Sequence, residues 1–423
     1  MDRIVVPANA SGSATAPASK SSMQRAVACA LLAEGESLLR GPSRCADSLA
    51  ALAIARAFGA SVEDLGDRIR VVGAPEALLS SPAARELPCG ESGLCIRMFA
   101  PIAALGPARS ELVASGSLRK RSVEMAAGPL EALGARCATS DGLPPLVVRG
   151  PLRGGRAVVE AGASSQFLTG LLLALPLAPG DSELEVRGLA SGGYVDLTLA
   201  TMRAFGVGVE AGGDARDPVF RIAGGRRYRA ADFRVEGDWS GAAFLLVAGA
   251  VAGGTVIVEG LDPASAQPDR AALDALRDSG ALVEVSPGAV AVSRGALRAF
   301  RFDARDRPDL FPPLAVLAAY CPGTSELVGV SRLRGKESDR AAALRDGLGG
   351  LGIRVRVEGD SLLIEGGRPG AGEVDSRGDH RIAMAAAVAA LGALGPVLVR
   401  GAECVSKSWP TFFEDLGRLT SSS

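Results

Sequence analysis

Hydrophobic and polar residues follow one pattern that recurs six times along this chain, at intervals of roughly sixty to seventy residues. Each copy opens with a run of small apolar residues that starts at a polar or charged cluster and ends near glycine. Apolar residues cover nearly the whole circumference of each predicted helix, so we expect these helices to be buried. The runs are Ser19–Gly35, Glu91–Gly106, Ser164–Gly180, Trp239–Gly253, Asp309–Gly323 and Asp379–Gly395.

Each copy continues with a short strand that ends at glycine, then a more amphipathic helix, then strands of alternating polarity. Glycines such as Gly59 and Gly134 suit the left-handed C-cap of the second helix. The sixth copy stops after its second helix, near Trp409–Leu416. We expect Arg3–Pro7 and Ser13–Ala16 to supply its missing strands. The short strands are predicted at Ser37–Gly41, Ser110–Gly116, Glu183–Gly188, Thr255–Gly260, Ser325–Gly329 and Val397–Gly401.

This connection between the two ends predicts an α/β protein with two domains of three copies each. Residues 17–237 would form a continuous domain from copies one to three. Residues 1–16 together with 238–423 would form a discontinuous domain from copies four to six. The chain would cross between them near Ala16 and near Gly237, which makes these positions candidates for a hinge.

Composition narrows the classes of function. A formal net charge of −1 argues against a nucleic-acid partner, which would require a basic face. The seven cysteines are scattered without CxxC spacing, so we expect no disulfide, no metal and no cofactor. The uncharged run 382–399 contains glycine and proline, which favours a buried helix and a strand over a membrane span. Without a signal-peptide pattern, we expect a cytoplasmic protein. We also expect a monomer with no membrane contact.

The starts of the six buried helices carry the main candidates for binding. A helix start presents unpaired N–H groups and the positive end of the helix dipole, so it favours a phosphate or carboxylate ligand. N-capping explains the Ser and Asp residues there, but it does not explain Lys20, Gln166 or Arg381. If the helices run parallel, their starts meet at one interdomain cleft, which would suit small polyanions. Six unrelated helix caps are the alternative.

A second group of charges follows the short strands, at Arg119–Arg121, Arg332–Arg340 and Lys407. Proton transfer needs carboxylates or lysines among such cations, where neighbours and burial shift their pKa. Lys20, Asp309 and Glu337 are the candidates. His380 is the only histidine, and a lone histidine is more often a structural hydrogen-bonding residue than a catalyst.

Assembled in this way, the chain resembles the 5-enolpyruvylshikimate-3-phosphate (EPSP) synthase family over nearly its full length. The resemblance implies a two-domain inside-out α/β barrel, in which the buried helices run parallel with their N-termini facing the interdomain cleft. The motifs that carry it are Ser-Lys-Ser at 19–21 followed by Arg25, Arg-Lys-Arg at 119–121, Ser-Ser-Gln-Phe-Leu-Thr at 164–169, Tyr-Val-Asp at 194–196, Pro-Asp at 308–309, Lys-Glu-Ser-Asp-Arg at 336–340, Asp-His-Arg at 379–381 and Lys-Ser-Trp-Pro at 407–410.

The resemblance also implies the reaction: the enolpyruvyl group of phosphoenolpyruvate is added to the 5-hydroxyl of shikimate 3-phosphate, and the tetrahedral adduct loses phosphate. Asp309 would take the hydroxyl proton, while the roles of Glu337 and Lys20 at C3 stay open. The implied shikimate 3-phosphate ligands are Lys20, Ser21, Arg25, Ser164, Ser165, Gln166, Ser191, Tyr194, Asp309 and Lys336. The implied phosphoenolpyruvate ligands are Lys20, Gly93, Arg121, Gln166, Arg340, Arg381 and Lys407.

Two positions depart from the family pattern. Glu91-Ser92-Gly93-Leu94 stands where the family usually has Asn-Ala-Gly-Thr, so inhibitor sensitivity does not follow from the resemblance. Arg332 stands where the family often has an asparagine.

Three other functions remain as alternatives. UDP-N-acetylglucosamine enolpyruvyl transferases share the repeat, but they usually carry Lys-Asn near the N-terminus and a cysteine in the loop that is Ser117–Arg121 here. A non-catalytic anion-binding module is disfavoured by the presence of Lys20, Asp309 and Glu337 together. A nucleotidyl-transferring relative is disfavoured by the lack of a basic face.

Overall fold

A computed structural model describes residues Met1–Ser421 as a mixed α/β structure. Its α-helices are α1 (Lys20–Leu32), α2 (Ala46–Ala57), α3 (Pro75–Ser80), α4 (Gly93–Ala103), α5 (Ala127–Ala132), α6 (Gln166–Ala174), α7 (Gly192–Ala204), α8 (Trp239–Ala252), α9 (Ala272–Asp278), α10 (Phe311–Ala319), α11 (Arg340–Gly350), α12 (His380–Leu391) and α13 (Phe412–Thr420). Its strands are β1 (Arg3–Val5), β2 (Gly12–Thr15), β3 (Ala33–Glu34), β4 (Glu36–Arg40), β5 (Ser61–Asp64), β6 (Arg68–Val72), β7 (Arg85–Pro88), β8 (Arg109–Val113), β9 (Arg136–Ser140), β10 (Leu143–Arg149), β11 (Gly155–Glu160), β12 (Ser182–Arg187), β13 (Glu210–Gly213), β14 (Pro218–Ile222), β15 (Tyr228–Arg229), β16 (Asp232–Arg234), β17 (Thr255–Glu259), β18 (Leu282–Ser286), β19 (Ala289–Ser293), β20 (Arg301–Asp303), β21 (Gly323–Val328), β22 (Arg354–Glu358), β23 (Ser361–Gly366), β24 (Gly372–Asp375) and β25 (Val397–Arg400).

Contacts divide the chain into two compact units. One unit comprises Met1–Pro17 and the chain from Glu236 onward, and the other comprises Ala18–Val235. The predicted boundaries, after residue 16 and after residue 237, lie one and two residues from these limits. That the units are domains joined by a hinge stays a prediction.

The unit Ala18–Val235 contains three four-stranded sheets, ordered β16-β4-β6-β5, β7-β8-β10-β9 and β11-β12-β14-β13. Each sheet has one parallel pair of strands. One strand of the pair follows a buried helix in sequence, and the other directly precedes a buried helix; we call the latter an entering strand. Helices α1, α4 and α6 are buried, as their uniformly apolar sequences predict. Helix α6 closely approaches α4 at Gly170, where a Cβ would lie 2.4 Å from the carbonyl oxygen of Met98.

The other unit is built in the same way. Its sheets are ordered β18-β19-β17-β2, β20-β21-β23-β22 and β1-β25-β24, and its buried helices are α8, α10 and α12. The uncharged run 382–399 is indeed helix α12 followed by the start of β25. In the part of the chain that the structure describes, no helix is long and apolar enough to cross a membrane.

Two of the entering strands pair with the sheet of a different copy, and the predicted place of the segment Ser13–Ala16 was wrong. Strand β2 precedes α1 in sequence, but it pairs in parallel with β17 of the fourth copy. Strand β16 precedes α8, but it pairs in parallel with β4 of the first copy. The segment Ser13–Ala16 therefore completes the fourth sheet and not the sixth. Of the two predicted segments, only β1 joins the sixth sheet, antiparallel to β25.

The six apolar helices and the short strands after them are confirmed, while several helix ends differ. Helix α6 ends at Ala174 because Pro176 lacks an N–H group and lies in a 3-10 turn. Helix α10 begins only after the 3-10 turn Pro308–Leu310. Helix α4 begins at Gly93, because Ser92 is its N-cap and accepts a hydrogen bond from the Cys95 N–H group. The barrel arrangement and the parallel direction of the buried helices stay predictions.

Candidate functional site

Lys20 is the first residue of α1, directly after the N-cap Ser19. Its Nζ lies 3.1 Å from Oδ2 of Asp47, and the two side chains are 16% and 6% exposed. Asp47 was not among the predicted site residues, although it lies in the first turn of the second helix of its copy. A cation held by a buried carboxylate while still partly open to solvent can both bind an anion and exchange a proton.

Arg25 lies one turn further along α1 and is almost fully buried. Its guanidinium donates hydrogen bonds to Thr198 Oγ1 at 2.8 Å, to the Ser21 carbonyl at 2.8 Å and to the Tyr194 carbonyl at 3.1 Å. Burial lowers the pKa of Arg25 to about 10, an effect that Tyr194 and Cys29 partly oppose. A desolvated cation of this kind gains by contact with an anion.

Ser191 belongs to the same group because its carbonyl accepts a hydrogen bond from the Tyr194 N–H group. Ser191 is the N-cap of α7 and has the left-handed backbone conformation, with φ of 61°. The structure therefore brings four predicted shikimate 3-phosphate ligands together, namely Ser21, Arg25, Ser191 and Tyr194.

Two guanidinium groups meet at Gly93, at the start of α4. A Cβ on Gly93 would lie 2.8 Å from Nη1 of Arg121 and 2.9 Å from Nη1 of Arg97. Both arginines are buried. A side chain at position 93 would therefore displace one of the two guanidinium groups. Arg97 was not among the predicted ligands, although it lies one helical turn after Gly93.

Gln166, the first residue of α6, joins this pair. Its Oε1 accepts a hydrogen bond of 2.9 Å from Arg97 Nη1, and its N–H group donates to Ser164 Oγ at 3.2 Å. Ser165 is the N-cap of α6 and is buried. In this way the predicted residues Ser164, Ser165 and Gln166 are connected to Gly93 and Arg121 through Arg97.

Arg340 is the centre of a second group, in the unit that contains α8 to α13. Its guanidinium donates to Asp309 Oδ1 at 2.7 Å, to Glu337 Oε2 at 2.8 Å and to Asp379 Oδ2 at 2.8 Å. Burial acts to lower the pKa of Arg340, but the charges of Asp379, Glu337 and Asp309 outweigh it and raise that pKa. Asp379 was named only as a helix start, so its role as a partner of Arg340 was missed.

Arg381 and Lys407 extend this second group. Arg381 Nη2 lies 3.0 Å from Oδ2 of Asp309 and donates to Ser240 Oγ at 2.8 Å. Lys407 Nζ lies 3.5 Å from Oε1 of Glu337. Each of the two candidate acid-base carboxylates, Asp309 and Glu337, therefore contacts two cations.

The remaining candidates lie around this group. Lys336 directly precedes Glu337 and is partly exposed. Arg332 Nε donates to the Arg305 carbonyl at 3.2 Å. His380 is buried, with Nδ1 3.8 Å from Oδ1 of Asp379. The histidine therefore lies beside Asp379, the partner of Arg340.

The site residues thus form two clusters, one in each unit. The first cluster comprises Lys20, Arg25, Arg97 and Arg121 with Asp47 and with Glu91, which accepts hydrogen bonds from Ser117, four residues before Arg121, so cations exceed carboxylates. The second cluster comprises Arg340, Arg381 and Lys407 with Asp309, Glu337 and Asp379, so the charges balance. An excess of cations suits an anionic ligand, while carboxylates held in position by hydrogen bonds are candidates for proton transfer.

Comparisons with known proteins identify the family of this chain. A family model described as EPSP synthase (3-phosphoshikimate 1-carboxyvinyltransferase) matches residues 5–416. The 3-phosphoshikimate 1-carboxyvinyltransferase of Aeropyrum pernix is 43% identical over 420 residues, which cover 99% of this chain and 96% of that protein. The enzyme of the same name from Thermococcus kodakarensis is 42% identical over 409 residues, which cover 96% and 97%. A solved structure of EPSP synthase from Acinetobacter baumannii matches with a TM-score of 0.83 and 29% identity, covering 99% of this chain and 98% of that one.

Proposed function

The chain belongs to the EPSP synthase family, and we propose that its two clusters bind the substrates and carry the proton transfers of the family reaction. The protein is a transferase of the shikimate pathway, which leads to the aromatic amino acids. It transfers the enolpyruvyl group of phosphoenolpyruvate to shikimate 3-phosphate. The residue assignments, the cytoplasmic location and the monomeric state are our proposals.

The first cluster binds anionic groups of both substrates, and we assign Arg340, Arg381 and Lys407 of the second cluster to phosphoenolpyruvate as well. Arg25, Ser21, Ser191 and Tyr194 are already held together by hydrogen bonds, and we assign them to shikimate 3-phosphate with Ser164 and Ser165. Arg121 and Arg97 lie against Gly93, and we assign this pair of guanidinium groups to phosphoenolpyruvate. Planar guanidinium groups match carboxylate and phosphate groups in geometry and charge.

The second cluster moves the protons, and the contacts of Asp309 are the observation that carries this assignment. Its two carboxylate oxygens face Arg340 at 2.7 Å and Arg381 at 3.0 Å. In this arrangement the carboxylate is oriented and ready to accept the proton of the 5-hydroxyl as that oxygen attacks C2 of the enol. Glu337, between Arg340 and Lys407, or Lys20 then delivers a proton to C3.

Elimination reverses the proton transfer at C3 and releases phosphate. Lys407, Arg340 and Arg381 stabilise the negative charge of the departing phosphate, as cations do in other phosphate transfers. The proton that Glu337 or Lys20 gave to C3 is thereby returned to its donor, and the hydroxyl proton held by Asp309 leaves with the phosphate, so the protons balance over the two steps.

A phosphate-release assay tests the proposal. The purified protein is given phosphoenolpyruvate with either shikimate 3-phosphate or UDP-N-acetylglucosamine. We expect phosphate only with shikimate 3-phosphate. Release only with the nucleotide sugar would favour the rival transferase, and release with neither would leave a non-catalytic binding module.

One variant from each cluster tests whether residues of both clusters bind phosphoenolpyruvate. Arg121→Ala in the first cluster and Arg381→Ala in the second are each expected to raise the KM for phosphoenolpyruvate at least about tenfold, the effect of losing a charged hydrogen bond. Arg156→Ala is the control, because Arg156 is 82% exposed and pairs only with Glu183 among the contacts described for it. An unchanged KM in either cluster variant would remove that cluster from the phosphoenolpyruvate site.

A further inference from the structure

The segment from Cys89 to Gly93 is bound along its length to the turn that carries Arg121. The parallel pairing of β7 and β8 continues past both strands, because the Cys89 N–H group donates to the Val113 carbonyl at 2.9 Å. The Ser115 N–H group then donates to the Gly90 carbonyl at 2.8 Å. The segment Cys89–Gly93 and the segment that follows β8 are therefore hydrogen-bonded to each other beyond the end of the sheet.

Glu91 makes the next connection with its side chain. Its Oε2 accepts hydrogen bonds from the Ser117 N–H group at 2.9 Å and from Ser117 Oγ at 2.8 Å. Ser117 is the second residue of the 3-10 turn Gly116–Lys120, whose first N–H groups have no partner within the turn. A carboxylate is well suited to this position because the start of such a turn carries partial positive charge.

Gly116 shows how closely the carboxylate approaches this turn. Its φ is +49°, and a Cβ there would overlap the carboxylate group of Glu91. Glycine at 116 thus serves both the left-handed backbone and the close approach of Glu91.

The other end of the same turn leads to Arg121. The Arg121 N–H group donates to the Leu118 carbonyl at 3.0 Å, and Leu118 is fully buried, so the turn is fixed in the core. The guanidinium of Arg121 lies against Gly93, the last residue of the segment Cys89–Gly93. Glu91 and Gly93 therefore contact the start and the end of one short turn.

We propose that Glu91 is a positioning residue that fixes the Arg121 turn for phosphoenolpyruvate. This inference rests on the proposed function, in which Arg121 is a ligand of that substrate. Glu91 acts as a hydrogen-bond acceptor for Ser117 and not as a ligand itself. Without this acceptor the turn retains Leu118 in the core, but Arg121 is no longer held against Gly93, so binding of phosphoenolpyruvate weakens while binding of shikimate 3-phosphate does not.

Steady-state kinetics with each substrate varied in turn test the role of Glu91. Glu91→Ala is expected to raise the KM for phosphoenolpyruvate about tenfold, with the KM for shikimate 3-phosphate and kcat within about twofold of wild type. Glu91→Gln keeps an acceptor oxygen and is expected to restore the KM to within about threefold. Ser117→Ala loses one of the two hydrogen bonds and should raise the KM about threefold. Glu86→Ala, an exposed residue of β7, is the matched control.

Three results would overturn the proposal: an unchanged KM for phosphoenolpyruvate in Glu91→Ala, an equal rise in both KM values, or a glutamine variant as impaired as the alanine variant. If Glu91→Ala does not fold, as judged by circular dichroism, Ser117→Ala decides, and an unchanged KM there is the contrary result. A wild-type protein that releases no phosphate would instead contradict the proposed function, so the two failures are distinguishable.

Discussion

Lys20 combines a buried partner with partial access to solvent, which is the environment expected of a residue that binds an anion and moves a proton. Its ammonium group lies 3.1 Å from Asp47 and is 16% exposed. We predict that Lys20→Met lowers kcat for phosphate release at least about 100-fold, the usual contribution of a positioned acid or base. The free energy of unfolding should also fall, because the buried carboxylate of Asp47 loses its cation while methionine preserves most of the packing volume.

The control for Lys20 is Arg156→Met, which removes an exposed cation of the same unit and should leave kcat within about twofold of wild type. Circular dichroism and thermal melts of both variants separate loss of chemistry from loss of fold. Near-normal turnover by Lys20→Met would remove Lys20 from the reaction.

Arg340 has a structural role as well as the proposed catalytic one. It is 1% exposed and contacts Asp309, Glu337 and Asp379. Arg340→Met leaves these carboxylates without their common cation, so we predict a loss of about 3–5 kcal/mol in the free energy of unfolding, measured with urea. Arg345→Met, which removes an exposed arginine paired with Asp346, should leave the free energy of unfolding close to that of the wild-type protein. Equal losses in the two variants would contradict the importance of the buried cluster.

The sequence predicted the starts of the six buried helices to within two residues, because capping and charge are local signals. Lys20, Gln166 and Arg381 were singled out as residues that capping does not explain, and each has a charged or polar partner from another element. Asp47 and Asp379 were missed as partners for a physical reason. An acidic residue in the first turn of a helix already has a capping explanation, so sequence alone does not separate a cap from an ion pair that forms across the fold.

The buried helices were equally predictable, because uniform apolarity indicates burial whatever the neighbours are. Their packing partners were not predictable, and Gly249 of α8 shows why. A Cβ there would lie 2.4 Å from the carbonyl oxygen of Val292 in β19, a contact between residues more than forty positions apart. The glycine resembles any other small residue in the apolar run, and only the fold reveals that it permits close packing.

Two glycines in helices should respond in opposite directions to the same substitution. Gly249→Ala must displace the backbone of β19, so we predict a loss of about 1–3 kcal/mol in the free energy of unfolding. Gly349→Ala, near the end of α11, meets no atom within 4 Å and should gain about 0.5–1 kcal/mol from helix propensity. Urea denaturation measures both values, and a gain in Gly249→Ala would show that the approach to β19 is not tight.

The division of the chain into two units depends on strands that are exchanged between copies. The crossings predicted from the periodic pattern, after residues 16 and 237, lie within two residues of the limits of the two units, and that these units are domains stays a prediction. It could not assign β2 to its sheet, because a four-residue strand of small residues carries too little information to choose a partner. Each of β2 and β16 instead lies parallel to the strand that follows the buried helix of another copy, and this rule is visible only when the sheets are assembled.

The second crossing contains a titratable group that links pH to stability. Burial raises the pKa of Glu236, the charges of Asp262 and Asp238 raise it further, and hydrogen bonds from Ser265 and Gln267 oppose them. The folded protein therefore binds more protons at this site than the unfolded chain does, in the interval above the ordinary value of 4.5. Stability contributed by this group accordingly falls as pH rises through that interval and stays reduced at higher pH.

Glu236→Gln removes the charge and keeps the hydrogen-bonding oxygen, so we predict that it raises Tm at pH 8 and has a smaller effect at pH 4.5. Glu373→Gln is the control of opposite sign, because hydrogen bonding to Arg400 lowers the pKa of Glu373. Glu373 therefore adds stability above its ordinary pKa, and its glutamine variant should lose a little Tm at pH 8. Thermal melts of both variants across this pH range decide the matter. A shift for Glu236→Gln that is equal at both pH values would show that the carboxyl titrates alike in the folded and unfolded protein, and the second crossing would then have no part in the pH dependence of stability.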